Sequence, residues 1–122
     1  MKTKQFLVTI FGLVSAVLTA QEYKPEANPK AVIVSGNTRF TVLSPRVIRM
    51  EWSSDGKFVD NASLTFVNRN LPVPKFTKKE TKGELQIVTE VLKLKFKTGT
   101  GKFTDKNLSV DLKDILPLNK MY

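Results

Sequence analysis

The stretch FTVLSPRVIRMEWSSDGKF, Phe40 to Phe58, decides the fold. Its first part alternates, with Phe40 and Val42 on one side. Ser44-Pro45 interrupts the run. A second alternating run, VIRMEW, then places Ile48, Met50 and Trp52 on one face and Val47, Arg49 and Glu51 on the other. SSDGK reads as a turn, because Asp55-Gly56 supplies the positive φ that tight turns require. The stretch is two strands hinged at a proline and closed by Asp-Gly. Its phase predicts that Ile48, Met50 and Trp52 face a core.

The same punctuation continues on both sides. AVIVSGN reads as a short strand, Ala31 to Val34, closed by Gly36-Asn37. SLTFVN is a further β-rich run with Leu64 and Phe66 in phase. KFTKKE and ELQIVTEVLKLKFKT flank Thr81-Lys82-Gly83, a hairpin signal, and TGTGK breaks the chain. LSVDLK alternates with Leu108, Val110 and Leu112 expected to point inward. Seven or eight short strands at near-regular spacing, with hardly a helical stretch, predict an all-β, antiparallel sandwich or barrel. The ending, DILPLNKMY, carries Pro117 and no clear period.

The first twenty residues differ from the rest. MKTKQ is basic, FLVTIFGLVSAVL is uncharged, and LTA precedes the polar QEYKPEANP. That order is a secretory signal peptide over residues 1–20, cleaved after Ala20. The apolar run is shorter than the ~20 residues that span a bilayer, so the mature product is expected to be periplasmic or secreted and free of the membrane. Residues 21–30, with Pro25 and Pro29, read as a linker, and residues 31–122 as the β-domain.

Composition narrows the chemistry. The 122 residues carry a net charge of +9 and contain neither Cys nor His. One domain is the most that this length holds. No disulfide framework, no zinc site of the usual ligands and no His-activated nucleophile can be built. Removing Lys2 and Lys4 with the leader leaves 18 basic residues against 11 acidic ones, about +7. Lys93, Lys95 and Lys97 alternate with Leu92, Leu94 and Phe96, which puts three lysines on one strand face. Such a face can hold single-stranded nucleic acid, but it reads more simply as the solvated side of a half-buried strand, and lysines also protect sheet edges. No nucleic-acid partner is expected.

The remaining polar groups form no catalytic set. Arg46, Arg49 and Glu51 can bind an acid group, yet such residues are more often a surface pair worth under ~1 kcal/mol. Trp52 can stack on a sugar, but its phase assigns it to the core. Glu51, Asp55 and Asp60 cluster near one turn, where glycoside chemistry would need two carboxyls at a fixed separation with divergent pKa values. Asp55 is explained by the turn and Asp60 by loop solvation. Asn61-Ala62-Ser63 and Asn107-Leu108-Ser109 match the glycosylation acceptor pattern, which is common by chance. The loop Thr98 to Gly101 is followed by no helix and is not read as a phosphate cradle. No catalytic, cofactor-binding or metal-binding residue is assigned.

Taken in order, RFTVLSPRVIRMEWSSDGKFVDNASLTFVNRNLPVPKF and ELQIVTEVLKLKFKTGTGKFTDKNLSV resemble a known domain. The features are Ser-Pro, Ile-Arg-x-Glu-Trp, Asp-Gly-x-Phe, the segment Phe66 to Pro74, a strand from Thr89 to Leu94, and Phe103 followed by Asn107 to Val110. The set looks like the N-terminal β-sandwich of bacterial glycoside hydrolase family 31, the α-glucosidases and α-xylosidases, across Ala31 to Val110. The resemblance implies a galactose mutarotase-like sandwich packed beside a TIM barrel. Both catalytic Asp residues of that retaining family lie in the barrel, and a loop of the sandwich helps shape the pocket.

No position of this chain matches the catalytic motifs, and the tail after Val110 leaves the family pattern. The expectation is an incomplete sandwich from a truncated or frameshifted product or a gene fragment. It would be inactive alone, with oligosaccharide reached only through the parent enzyme. The alternative is a stand-alone secreted carbohydrate-binding or adhesion sandwich.

Overall fold

The computed structural model describes residues 24–65 and 67–113. The expected leader, Phe66 and the ending that carries Pro117 lie outside the described residues. After a 3-10 turn at Pro29–Ala31, three strands follow: β1 (Val32–Ser35), β2 (Thr38–Ser44) and β3 (Val47–Trp52). A long irregular stretch leads to β4 (Phe76–Thr81), β5 (Glu84–Thr89), β6 (Leu92–Lys97) and β7 (Leu108–Leu112). They form two antiparallel sheets, in the orders β1-β2-β3 and β4-β5-β6-β7. The fold is all-β and sandwich-like.

Each sheet is a meander whose turns are set by local chemistry. Gly36 (φ +54) opens the β1–β2 turn, where a positive φ suits the twist of the flanking strands. Lys82 (φ +41) and Gly83 (φ +80) make the β4–β5 turn with both central residues left-handed. Between β5 and β6 the Thr89 hydroxyl accepts from the backbone N–H groups of Val91 and Leu92, at 3.2 and 3.0 Å. The same hydroxyl donates to the Pro45 carbonyl at 2.6 Å, tying the β2–β3 turn of one sheet to the other.

A β-bulge sets which residues of β3 face inward. Ser44 pairs with Val47, but Val42 pairs with Ile48, so Leu43 is an extra residue on β2. A one-residue shift exchanges the faces of a strand. Without the bulge Phe40 would oppose Glu51. With it, Phe40 opposes Met50 and Arg39 opposes Glu51.

The core lies between the sheets. Ile33, Phe40 and Val42 meet Leu85, Ile87, Leu92, Leu94 and Phe96, all buried. Phe40, Phe96 and Phe103 form a ring triad with centroids 5.3–5.7 Å apart, each pair worth about 0.5–1.5 kcal/mol beyond its buried area.

Three expectations are corrected. Residues 63–65 and 67–68 form no strand, and Leu64 is fully exposed. Met50 is 39% exposed and Trp52 is half-buried, although both share the inner face with Ile48, which does pack on the core. Leu108, Val110 and Leu112 lie on the inward face of β7 opposite Phe96, Leu94 and Leu92, yet Val110 is 48% and Leu112 75% exposed. Leu108 does pack on the core, as expected, whereas Val110 and Leu112 further along β7, and Met50 on the edge strand β3, keep exposed surface that no described residue covers.

Candidate functional site

The polar cluster of the molecule lies on the outer face of the three-stranded sheet. Cross-strand pairing places Arg39 opposite Glu51, and Thr41 opposite both Val32 and Arg49. Arg39 donates from Nε and Nη2 to the two oxygens of Glu51, at 2.6 and 2.9 Å, a bidentate pair. Its Nη1 donates to Asp60 at 2.6 Å and its Nη2 also reaches the Val59 carbonyl at 3.0 Å. Arg49 Nη1 lies 2.6 Å from Glu51 Oε1. The Phe58 ring lies 4.9 Å from the Arg39 guanidinium carbon. Phe58, Val59 and Asp60 therefore fold back over this face.

Arg69 completes the cluster from that returning segment. It is only 3% exposed. Its guanidinium donates to the carbonyls of Val59 and Asn61, and its backbone N–H donates to Lys24 at 2.9 Å. Its Nε is buried without a hydrogen-bond partner. Hydrogen bonding to Glu51, and then to Asp60, holds the Arg39 pKa above its ordinary value, against the opposing effect of burial. Burial, with the nearby Arg49 charge, pulls that of Arg69 down.

Arg39, Thr41, Asp60 and Arg69 form the polar wall of a cavity of about 290 Å³. Ala27, Pro29 and Val32 form its apolar wall, and Glu26 carries a carboxylate at its margin. This volume is near the lower end of small-molecule pockets. Among the described residues no group of three or more Asp or Glu is placed to hold a metal ion.

The sequence candidates divide between this cluster and structural roles. Arg49 and Glu51 are not a surface pair: their side chains are 17% and 12% exposed. Arg46 is exposed in the β2–β3 turn and does not join them. Asp60 is half-exposed, but it is an ion-pair partner of Arg39 and not merely a solvated loop residue. Asp55 keeps the turn role, accepting from the Ser53 hydroxyl at 2.6 Å and the Lys57 N–H at 3.0 Å. Those two bonds lower its pKa.

Trp52 lines a separate cavity of about 380 Å³ with Thr38, Gly99 and Gly101. Its indole Nε1 has no partner, and Lys102 Nζ lies 5.3 Å from the ring centroid. Asn107 is buried and structural. Its amide donates to Thr100 Oγ1 and the Lys102 carbonyl and accepts from the Thr104 N–H. Such a side chain is not available for a glycan, whereas Asn61 is exposed. Lys93, Lys95 and Lys97 point outward, interleaved with Glu84 and Asp111 as cross-strand partners.

Arg39 and Arg69 were not singled out by sequence reasoning. The signal for Arg39 is its pairing with Glu51, which depends on the bulge at Leu43 and cannot be counted from the turn alone. Arg69 lies in an irregular segment with no period to place it. Comparison with protein-family models found no match, and comparison with curated proteins found none that is similar.

Proposed function

We propose that this chain is the accessory N-terminal sandwich of an exported α-glycosidase of the family 31 type, itself non-catalytic. It packs beside a catalytic TIM barrel and helps shape the barrel's pocket. The galactose mutarotase-like connectivity and a periplasmic or secreted location belong to the same proposal. The observation that carries it is the uncovered inward face of β7, where Val110 and Leu112 are exposed while their partners Leu94 and Leu92 are buried. Apolar side chains on the core side of a sheet call for a cover, and a neighbouring domain supplies one. The ordered motifs from Phe40 to Val110 name the kind of neighbour.

The test mixes the purified chain with a family 31 barrel stripped of its own N-terminal sandwich. Hydrolysis of p-nitrophenyl α-glucoside and α-xyloside is followed. The expected result is no turnover by the chain alone and recovery of the barrel's turnover on mixing. Robust turnover by the chain alone, or no recovery across a panel of such barrels, overturns the proposal.

A second reading, a stand-alone carbohydrate-binding sandwich, is favoured by Trp52 beside its open cavity. Lys102 over the ring opposes stacking on that face. Glycan-array binding that is lost in Trp52→Ala, with the far-UV spectrum unchanged, would favour this reading over the first.

A further inference from the structure

We propose that the cavity bounded by Arg69, Asp60 and Pro29 is a binding site for a small hydroxylated carboxylate of the hexuronate class. The unpartnered Nε–H of the buried Arg69, at the wall of this cavity, carries the proposal. Three guanidinium groups, from Arg39, Arg49 and Arg69, share this region with two paired carboxylates, from Glu51 and Asp60. Arg39 and Arg49 each touch a carboxylate. Arg69, 3% exposed, is held by two neutral carbonyls and has no carboxylate partner among the described residues. Glu51 and Asp60 act on Arg69 only at a distance, being paired to Arg39, and its Nε–H is left without a partner, an arrangement that an incoming acceptor relieves.

The donor geometry suits a carboxylate. Two carbonyls engage the Nη atoms of Arg69 and leave Nε–H without a partner. Nε–H with an adjacent Nη–H is the side-on fork that receives both oxygens of a carboxylate. With Glu26 counted, three guanidiniums face three carboxylates, so the ligand's charge is held by the Arg69 donors and not by a net surplus. A phosphate dianion would set a second charge against Asp60 and Glu26. The rest of the wall asks for hydroxyls and C–H surface. The Asp60 and Glu26 carboxylates are acceptors for hydroxyl donors, while Ala27, Pro29 and Val32 offer apolar contact. At about 290 Å³ the cavity has room for a molecule rather than a lone ion. This site does not rest on the proposed enzymatic context, and its test can fail or succeed separately.

The experiment is calorimetric titration of the full chain with D-glucuronate, D-glucose, acetate and inorganic phosphate, paired with thermal melts. D-Glucuronate is expected to bind about tenfold or more tighter than D-glucose, the scale of one charge-assisted hydrogen bond, and to raise the melting midpoint where D-glucose does not. Arg69→Lys keeps the charge but loses the planar fork, and is expected to weaken glucuronate by about tenfold. Should Arg69→Lys fail to fold, Glu26→Gln serves. It keeps a hydroxyl acceptor while removing an exposed like charge, and is expected to tighten glucuronate severalfold relative to glucose. Equal binding of glucuronate and glucose, or equal affinity in both variants and the parent, overturns the site. Phosphate binding as tightly as glucuronate overturns the carboxylate assignment. Acetate binding as tightly overturns the part played by the hydroxyls.

Discussion

Leu94 and Val110 are cross-strand partners on the inward face of one sheet, yet Leu94 is 1% exposed and Val110 is 48% exposed. Identical phase has produced opposite burial: Leu94 belongs to the buried cluster with Phe40 and Val42 of the facing sheet, whereas on β7 it is Leu108, not Val110, that packs against that cluster. Leu94→Ala is expected to destabilise the fold by about 2–5 kcal/mol, the range for emptying a packed core site. Val110→Ala is expected to lie within about 0.5 kcal/mol of the parent. Urea denaturation of the two variants gives the comparison, and equal effects would show β7 to be covered in solution.

The Arg39–Glu51 pair is shielded, with side chains 11% and 12% exposed. Glu51 also serves Arg49, so its carboxylate neutralises two guanidiniums. Glu51→Gln keeps the shape and removes the charge. It is expected to destabilise by about 3–5 kcal/mol, as when one partner of a buried pair is removed. Arg46→Gln, in the exposed turn, is expected to stay within about 0.5 kcal/mol of the parent. A double-mutant cycle with Arg39→Met measures the coupling, and coupling near zero would show the pair to be fully solvated.

Much of this architecture is legible in the residues. Period-two alternation locates β2, β3, β5 and β6, and Gly36 and Lys82-Gly83 mark two of the turns that join strands. What alternation cannot show is coverage. It puts Leu112 and Leu94 in the same class, since phase reports which face a side chain takes and not whether another layer lies over that face. The same blindness made Met50 and Trp52 core residues. Leu64 and its neighbours had strand composition without a partner strand, and the residues on either side of them, Asp60 and Arg69, meet at the outer face of the first sheet. The charged cluster was half visible. Arg46 and Arg49 stood out with Glu51, and Glu51, Asp55 and Asp60 as a group near one turn, but the bulge that brings in Arg39 and the long return that brings in Arg69 leave no mark in local sequence.

Asn107 clamps the loop between β6 and β7. Its side chain makes three hydrogen bonds, and its carbonyl accepts from the Lys97 N–H at 2.8 Å. Asn107→Ala leaves the Thr104 N–H and the Lys102 carbonyl without their side-chain partner. The expected loss is about 1–3 kcal/mol, with faster amide exchange confined to residues 98–107. Glycosylation-competent expression is expected to leave Asn107 unmodified, and a glycan found there by mass spectrometry would contradict the buried clamp.

Asp55 titrates below its ordinary value of 3.8 because Ser53 and Lys57 donate to its ionised form. A lowered folded pKa means that the turn's contribution is present above the unfolded value and is lost as pH falls through the folded one. The carboxyl resonance of Asp55, followed by NMR, is expected to titrate below 3.8. Ser53→Ala is expected to move the midpoint upward, toward the ordinary value. A midpoint at or above 3.8 in the parent would show the Ser53–Asp55 bond to be unformed in solution.

Lys82 is the only non-glycine among the described residues with a positive φ, at +41, followed by Gly83 at +80. Two left-handed residues in a two-residue hairpin loop favour Asn-Gly, because the Asn side chain tolerates that region and Lys does not. The left-handed region is about 1–2 kcal/mol unfavourable for an ordinary residue. Lys82→Asn is therefore expected to stabilise the chain, by about 0.5–1 kcal/mol if Asn relieves half of that strain. Gly83→Ala, forced to φ +80 with no neighbour within 4 Å of the added methyl, is expected to destabilise through backbone conformation alone, by about 1 kcal/mol. Opposite shifts in the urea midpoint, with the slope unchanged, are the expected signature. Shifts of the same sign would mean that the β4–β5 turn takes another form in solution.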